Sequence, residues 1–145
     1  MMARPKGADW LESDIRRLRL QDVDIVVSLL ETSEIKELGL LNEGPLCQIH
    51  NIQFIHHPIS DRGVPESYSK FNSLIFDLNE KLRQGRKVVV HCRMGIGRTS
   101  LICAALLLEN GIHIERVFEL LSDTRTLKVP DTTDQVSWIR DCYSR

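Results

Sequence analysis

The 145-residue chain is 42 % apolar and 27 % charged, with a formal net charge of −1. That apolar share supports a core without disulfide or metal staples, and the length predicts one domain over residues 1–145. The lack of a basic surplus excludes an electrostatic nucleic-acid binder. No run approaches the ~20 consecutive apolar residues of a membrane span, and the opening MMARPKGADW has no leader-like apolar stretch. A cytoplasmic, soluble monomer without membrane or nucleic-acid partners is expected. Cys47, Cys92, Cys103 and Cys142 include no C-x-x-C pair and read as free thiols.

In chain order, Trp10–Leu20 carries Leu11, Ile15 and Leu18 at helical spacing, and its Arg16, Arg17 and Arg19 read as a solvated face. Asp24–Leu29 (DIVVSL) reads as a buried strand. Ser33–Leu41 is a short helix, with Ile35, Leu38 and Leu41 three apart. Ile52–His57 is a second, more mixed strand. Glu66–Gln84 is the clearest helix: Tyr68, Phe71, Leu74, Ile75, Leu78 and Leu82 mark one face, and Gly85 stands where a C-terminal cap is wanted. Lys87–His91 (KVVVH) is the third strand. Arg98–Glu109 is apolar almost all round and predicts a buried central helix. His113–Ser122 and Thr133–Tyr143 are two further helices, the last with Val136, Ile139 and Tyr143 inward and capped by Thr132 or Thr133. Trp10 and Trp138 are expected to be packing residues. The alternation predicts an α/β domain, a central, mostly parallel sheet flanked by helices, with ligands at the carboxyl ends of the strands.

The segment just after Lys87–His91 has that address. It reads His91-Cys92-Arg93-Met94-Gly95-Ile96-Gly97-Arg98-Thr99, between a buried strand and a buried helix. Two glycines let the backbone curl, so that the N–H groups of Arg93 to Arg98 form an anion nest at a helix N-terminus. A thiol above such a nest, with Arg98 nearby, is biased toward thiolate. Arg98 offers a planar fork suited to bidentate phosphate binding. Thr99 is placed to donate to the Cys92 sulfur, and His91 to brace the loop. Nucleophile and clamp converge on one phosphorus atom.

His-Cys-x-x-Gly-x-x-Arg-Thr resembles the signature loop of the protein tyrosine and dual-specificity phosphatase superfamily, in which the cysteine becomes a phosphocysteine and the arginine holds the phosphate. The resemblance implies a tyrosine-phosphatase-like fold, a phosphorylated protein or peptide as substrate, and neither metal nor cofactor. The leaving oxygen needs a proton donor. Asp61, in Pro58-Ile59-Ser60-Asp61-Arg62-Gly63-Val64-Pro65, follows a strand on a shaped loop and either shapes a turn or acts as the acid. Pro-Ile-x-Asp-x-x-x-Pro resembles the general-acid loop of small dual-specificity phosphatases, which implies the catalytic role; Glu66 is the nearest substitute. Thr124–Gln135 resembles the loop before the final helix of kinase-associated and phosphoinositide phosphatases. There Gln135 either places the hydrolytic water or faces solvent in a first helical turn.

The Trp-Leu-Glu helix, the Val-Val-Ser-Leu-Leu strand and the Pro-Ile-Ser-Asp-Arg-Gly-Val-Pro loop resemble the kinase-associated phosphatase branch. That branch carries one or two strands upstream of the position of Met1, so one sheet edge is left unassigned. His50, His56, His57 and His113 lack ligand spacing for a metal, and Cys103 reads as a small core residue. Arg93 is the one extra basic residue between Cys92 and Arg98, which points away from inositol lipids. Dual Tyr and Ser/Thr specificity, with Tyr preferred, is expected. A phosphate-binding module without turnover and redox chemistry at Cys92 are the competing readings.

Overall fold

The computed structural model describes residues 1–125, 129–130 and 132–143. Its elements are β1 (Met2–Ala3), α1 (Leu11–Leu20), β2 (Ile25–Ser28), α2 (Thr32–Glu37), α3 (Glu43–Ile49) and β3 (Gln53–His56). They continue with α4 (Tyr68–Arg83), β4 (Val88–Cys92), α5 (Arg98–Glu109), α6 (Ile114–Arg125) and α7 (Thr133–Tyr143). Among the described residues the sheet runs β1-β4-β2-β3 with every pair parallel. No helix among them is long and apolar enough to cross a membrane.

The apolar run of β2 follows from burial on both faces. Ile25, Val27 and Leu29 join the cluster packed by α4, α5, α6 and α7, while Val26 and Leu30 join the cluster under α1 and α3. Alternation of side chains along a strand makes this division unavoidable. α5 is the central helix: Leu101, Ile102, Ala104 and Ala105 are all buried.

Four expectations need correction. The unassigned edge is occupied by β1, whose Met2 and Ala3 pair with His91 and Cys92; two residues are too short for a periodicity to reveal. A helix, α3, occupies a stretch left without an element, with Gly44 and Pro45 inside it. Pro45 falls within the first turn, where its missing N–H costs nothing, and a Cβ on Gly44 would stand 3.0 Å from the Phe54 ring. Trp10 is 66 % exposed, with the Lys6 ammonium 5.9 Å from its ring, so it does not pack the core. Likewise Tyr68 and Leu82, at the two ends of the α4 stripe, are exposed, while Phe71, Leu74, Ile75 and Leu78 between them are buried.

Trp138 does pack: its ring meets Phe71 edge-on at 4.8 Å, joining α7 to α4. Phe71 is fully buried. Phe71→Ala is expected to cost roughly 3–5 kcal/mol of stability through the cavity it leaves; the shift in urea midpoint at constant slope measures it.

Candidate active site

β4 ends at Cys92 and α5 begins at Arg98, so the five intervening residues turn the chain from strand to helix. Gly95 holds φ +71° at the crest of that turn, a conformation a side chain would strain. Ser100 donates its hydroxyl to the carbonyl of Ile96, and the Leu101 N–H reaches the carbonyl of Gly97 at 3.3 Å. Cys92 is buried, its Sγ 4.0 Å from Thr99 Oγ1. As a thiol the sulfur donates to that oxygen; as a thiolate it would accept from the hydroxyl.

Arg98 is 2 % exposed and fully engaged on its inner side. Nη1 donates to Glu34 Oε1 at 2.6 Å and to the Ile59 carbonyl at 2.9 Å, and lies 3.4 Å from the Leu29 carbonyl. Nη2 donates to Glu34 Oε2 at 2.9 Å and to Asp61 Oδ1 at 3.2 Å. Glu34 is thus the countercharge of Arg98, which the sequence did not reveal. Burial opposes its ionisation, but the Arg98 hydrogen bonds, the Glu31 N–H and Arg93 outweigh that and hold its carboxyl at about 2. Glu34 also closes a capping box with Glu31 at the start of α2, so one side chain serves helix and arginine together.

A second buried pair lies one residue upstream. His91 Nε2 and Glu43 Oε2 are 2.5 Å apart, each residue 1 % exposed. His91 Nδ1 and Glu43 Oε1 are buried with no hydrogen-bond partner among the described residues. The pair braces the strand end from α3, on the sheet face opposite Cys92. Among the other thiols, burial and the Glu43 charge push Cys47 up to about 12, and burial raises Cys103.

Cys92, Arg98 and Asp61 line one cavity of about 180 Å³, together with Arg62, Arg93 and Met94. Asp61 is half-exposed on the loop after β3. Glu66, the substitute acid, lies instead in a separate depression with Glu31 and Ser60. The Arg93 side chain turns to Glu34 (3.4 Å) and Glu37 (3.2 Å), so its charge is balanced by α2. Gln135 is fully buried rather than solvent-facing, and lies outside the cavity lining. Its Nε2 donates to the Gly63 carbonyl at 2.9 Å, tying α7 to the Asp61 loop, and its own N–H is capped by Thr132 at 3.1 Å. Within the Thr124–Gln135 segment, residues 126–128 and 131 lie outside the described residues. A larger cleft of about 750 Å³ lies between α6 and α7, lined by Phe118, Val136 and Arg140, away from Cys92.

Comparison with known proteins agrees with this geometry. Residues 17–144 match the family model described as the dual specificity phosphatase catalytic domain. Cyclin-dependent kinase inhibitor 3 of Rattus norvegicus is 29 % identical over 136 residues, covering 90 % of this chain and 62 % of that protein. Human dual specificity protein phosphatase 1 is 29 % identical over 97 residues, covering 64 % of this chain and 26 % of that protein. The chain therefore spans less than two thirds of the curated relatives it matches. A crystal structure of kinase associated phosphatase with its catalytic cysteine substituted by serine superposes with TM-score 0.86 at 24 % identity, over 98 % of this chain and 85 % of that one. The active form of Tk-PTP gives TM-score 0.80 at 24 % identity, over 96 % of this chain and 88 % of that one. These two likenesses establish the fold.

Because Glu34 is held well below its ordinary value of 4.5, its pairing contributes stability that is complete above that pH and is lost as pH falls toward about 2. Glu34→Gln is expected to destabilise the protein at pH 7 by roughly 3 kcal/mol, and by much less near pH 2. Denaturation of both proteins across that interval measures the convergence.

Proposed function

Since the chain belongs to the family of dual specificity phosphatase catalytic domains, we propose that it hydrolyses phosphomonoesters on proteins through a cysteinyl-phosphate. The observation that carries this reading is the convergence of Cys92, Arg98 and Asp61 on one small cavity. The inner side of the Arg98 fork is taken by Glu34 and Ile59, so a phosphate is received on the edge where Asp61 now binds Nη2. Phosphate oxygens replace the Asp61 carboxylate on the guanidinium and free Asp61 to face the leaving group.

In the first step the Cys92 thiolate attacks phosphorus; the S–P bond forms as the ester P–O bond breaks, and Asp61 gives its proton to the departing oxygen. In the second step water attacks the same phosphorus, Asp61 takes its proton, and Cys92 leaves as thiolate with inorganic phosphate released. Arg98 and the loop N–H groups neutralise charge on the equatorial oxygens throughout. Gln135, through Gly63, positions the loop that carries the acid. His91 and Thr99 support the nucleophile from behind. Chain residues supply nucleophile, acid and clamp, so no step calls on a metal or cofactor.

A cavity of about 180 Å³ is well below the ~300–1,000 Å³ of drug-sized sites. Such a site admits a phosphoryl group and little else, which fits a permissive phosphatase acting on Tyr and on Ser/Thr, Tyr preferred. The working form is a cytoplasmic monomer of one domain, with phosphoprotein as its partner.

Wild type is expected to turn over p-nitrophenyl phosphate in the presence of EDTA, and Cys92→Ser to lose turnover by at least about 10³-fold. Turnover surviving in Cys92→Ser sinks the mechanism. Inert wild type that still binds vanadate makes the protein a phosphate-recognition module. With phosphotyrosine peptide, Asp61→Asn is expected to lower kcat about 10²-fold; an unchanged rate means the acid is another residue.

A further inference from the structure

We propose that Met1–Arg4 is a positioning element of the phosphate loop, a strap that sets the loop's geometry from its outer side. The proposal rests on the phosphatase reading of that loop. Every one of these four residues touches it. Met2 and Ala3 pair in parallel with His91 and Cys92, so the backbone carrying the nucleophile is hydrogen-bonded into β1. The Arg4 N–H continues the ladder past the end of β4, reaching the carbonyl of Arg93 at 3.3 Å.

The third contact is a close approach. A Cβ on Gly95 would stand 2.4 Å from the carbonyl carbon and 2.5 Å from the carbonyl oxygen of Met2. The crest of the loop therefore lies directly on the strap's backbone, with no room for a side chain between them. The fourth contact reaches the nucleophile's support: Met1 Sδ lies 3.9 Å from the hydroxyl oxygens of both Thr99 and Ser100. Thr99 is the residue whose Oγ1 stands 4.0 Å from the Cys92 sulfur.

A phosphate loop acts through donors already aimed at the transition state, so their placement enters the rate directly. Displacement of about 1 Å in such a constellation can cost 10²-fold. On its inner side the loop is fixed by Arg98 and by the His91–Glu43 pair. On the outer side the strap performs that task. It contributes no group to the reacting atoms.

Arg4→Pro tests this in the full chain. Proline removes the N–H that meets Arg93, and it confines Ala3 to the extended region Ala3 already occupies in β1. Arg4→Ala keeps the N–H and alters only the side chain. Three readouts are compared: kcat and KM on p-nitrophenyl phosphate, orthovanadate affinity by calorimetry, and thermal midpoint. We expect kcat for Arg4→Pro to fall at least about fivefold below Arg4→Ala with KM little changed, and vanadate affinity to weaken in proportion. A truncation lacking Met1–Ala3 should lose more of both while remaining folded at the assay temperature. Arg4→Pro matching Arg4→Ala in kcat and vanadate affinity overturns the proposal, including when only the thermal midpoint has dropped. Should the truncation fail to fold, the comparison at Arg4 decides alone. An inert wild type would count against the phosphatase reading instead, while an active wild type with an indifferent Arg4→Pro counts against the strap.

Discussion

A guanidinium with 2 % of its surface exposed must be bonded on nearly every edge, and the architecture around Arg98 follows from that requirement. Its four partner residues come from three places: the chain leaving β2 at Leu29, the helix α2 at Glu34, and the stretch after β3 at Ile59 and Asp61. These are the segments that follow the carboxyl ends of neighbouring parallel strands. A cation fixed in this way cannot swing toward a ligand; the ligand comes to it. Electrostatic help at such a site is large because the donors need no reorganisation when charge develops.

The two faces of the sheet divide the support of Cys92. His91 and Cys92 are consecutive residues of β4 and therefore point to opposite faces. Cys92 belongs to the core under α4, α5 and α7. His91 reaches the other side, where Glu43 on α3 meets it. A perturbation in either helical layer reaches the phosphate loop through one of these adjacent residues. Gln135 adds a third tie, carrying the position of α7 to the Asp61 loop through Gly63.

Much of this was legible before any coordinates. The loop from Cys92 to Arg98 announced itself because its chemistry demands unusual residues at fixed offsets between two apolar runs. Pro58, Gly63 and Pro65 mark a shaped loop after a strand, which left Asp61 either a turn-former or an acid; its catalytic reading came from the resemblance of that loop. Glu34 and Glu43 were not legible, since a glutamate in a short helix ordinarily reads as solvated surface, and carboxylates are seldom fully buried. The available signal was indirect. A buried Arg98 needs a countercharge, and α2, which follows β2 at the same sheet end, carries Glu34 and Glu37 with Glu31 at its cap. Gln135 showed the same limit in reverse: a polar residue in a first helical turn gives no sign that another loop's carbonyl will cover it. β1 was invisible for a simpler reason, since two residues have no period.

That brevity has a practical side. Among the described residues β1 covers only the last two positions on the outer side of β4, beside His91 and Cys92. With the strands parallel, whatever is joined ahead of Met2 runs toward Val90 on the same side of β4, so a purification handle fused at Met1 is no bystander: it enters beside the strand that ends at Cys92.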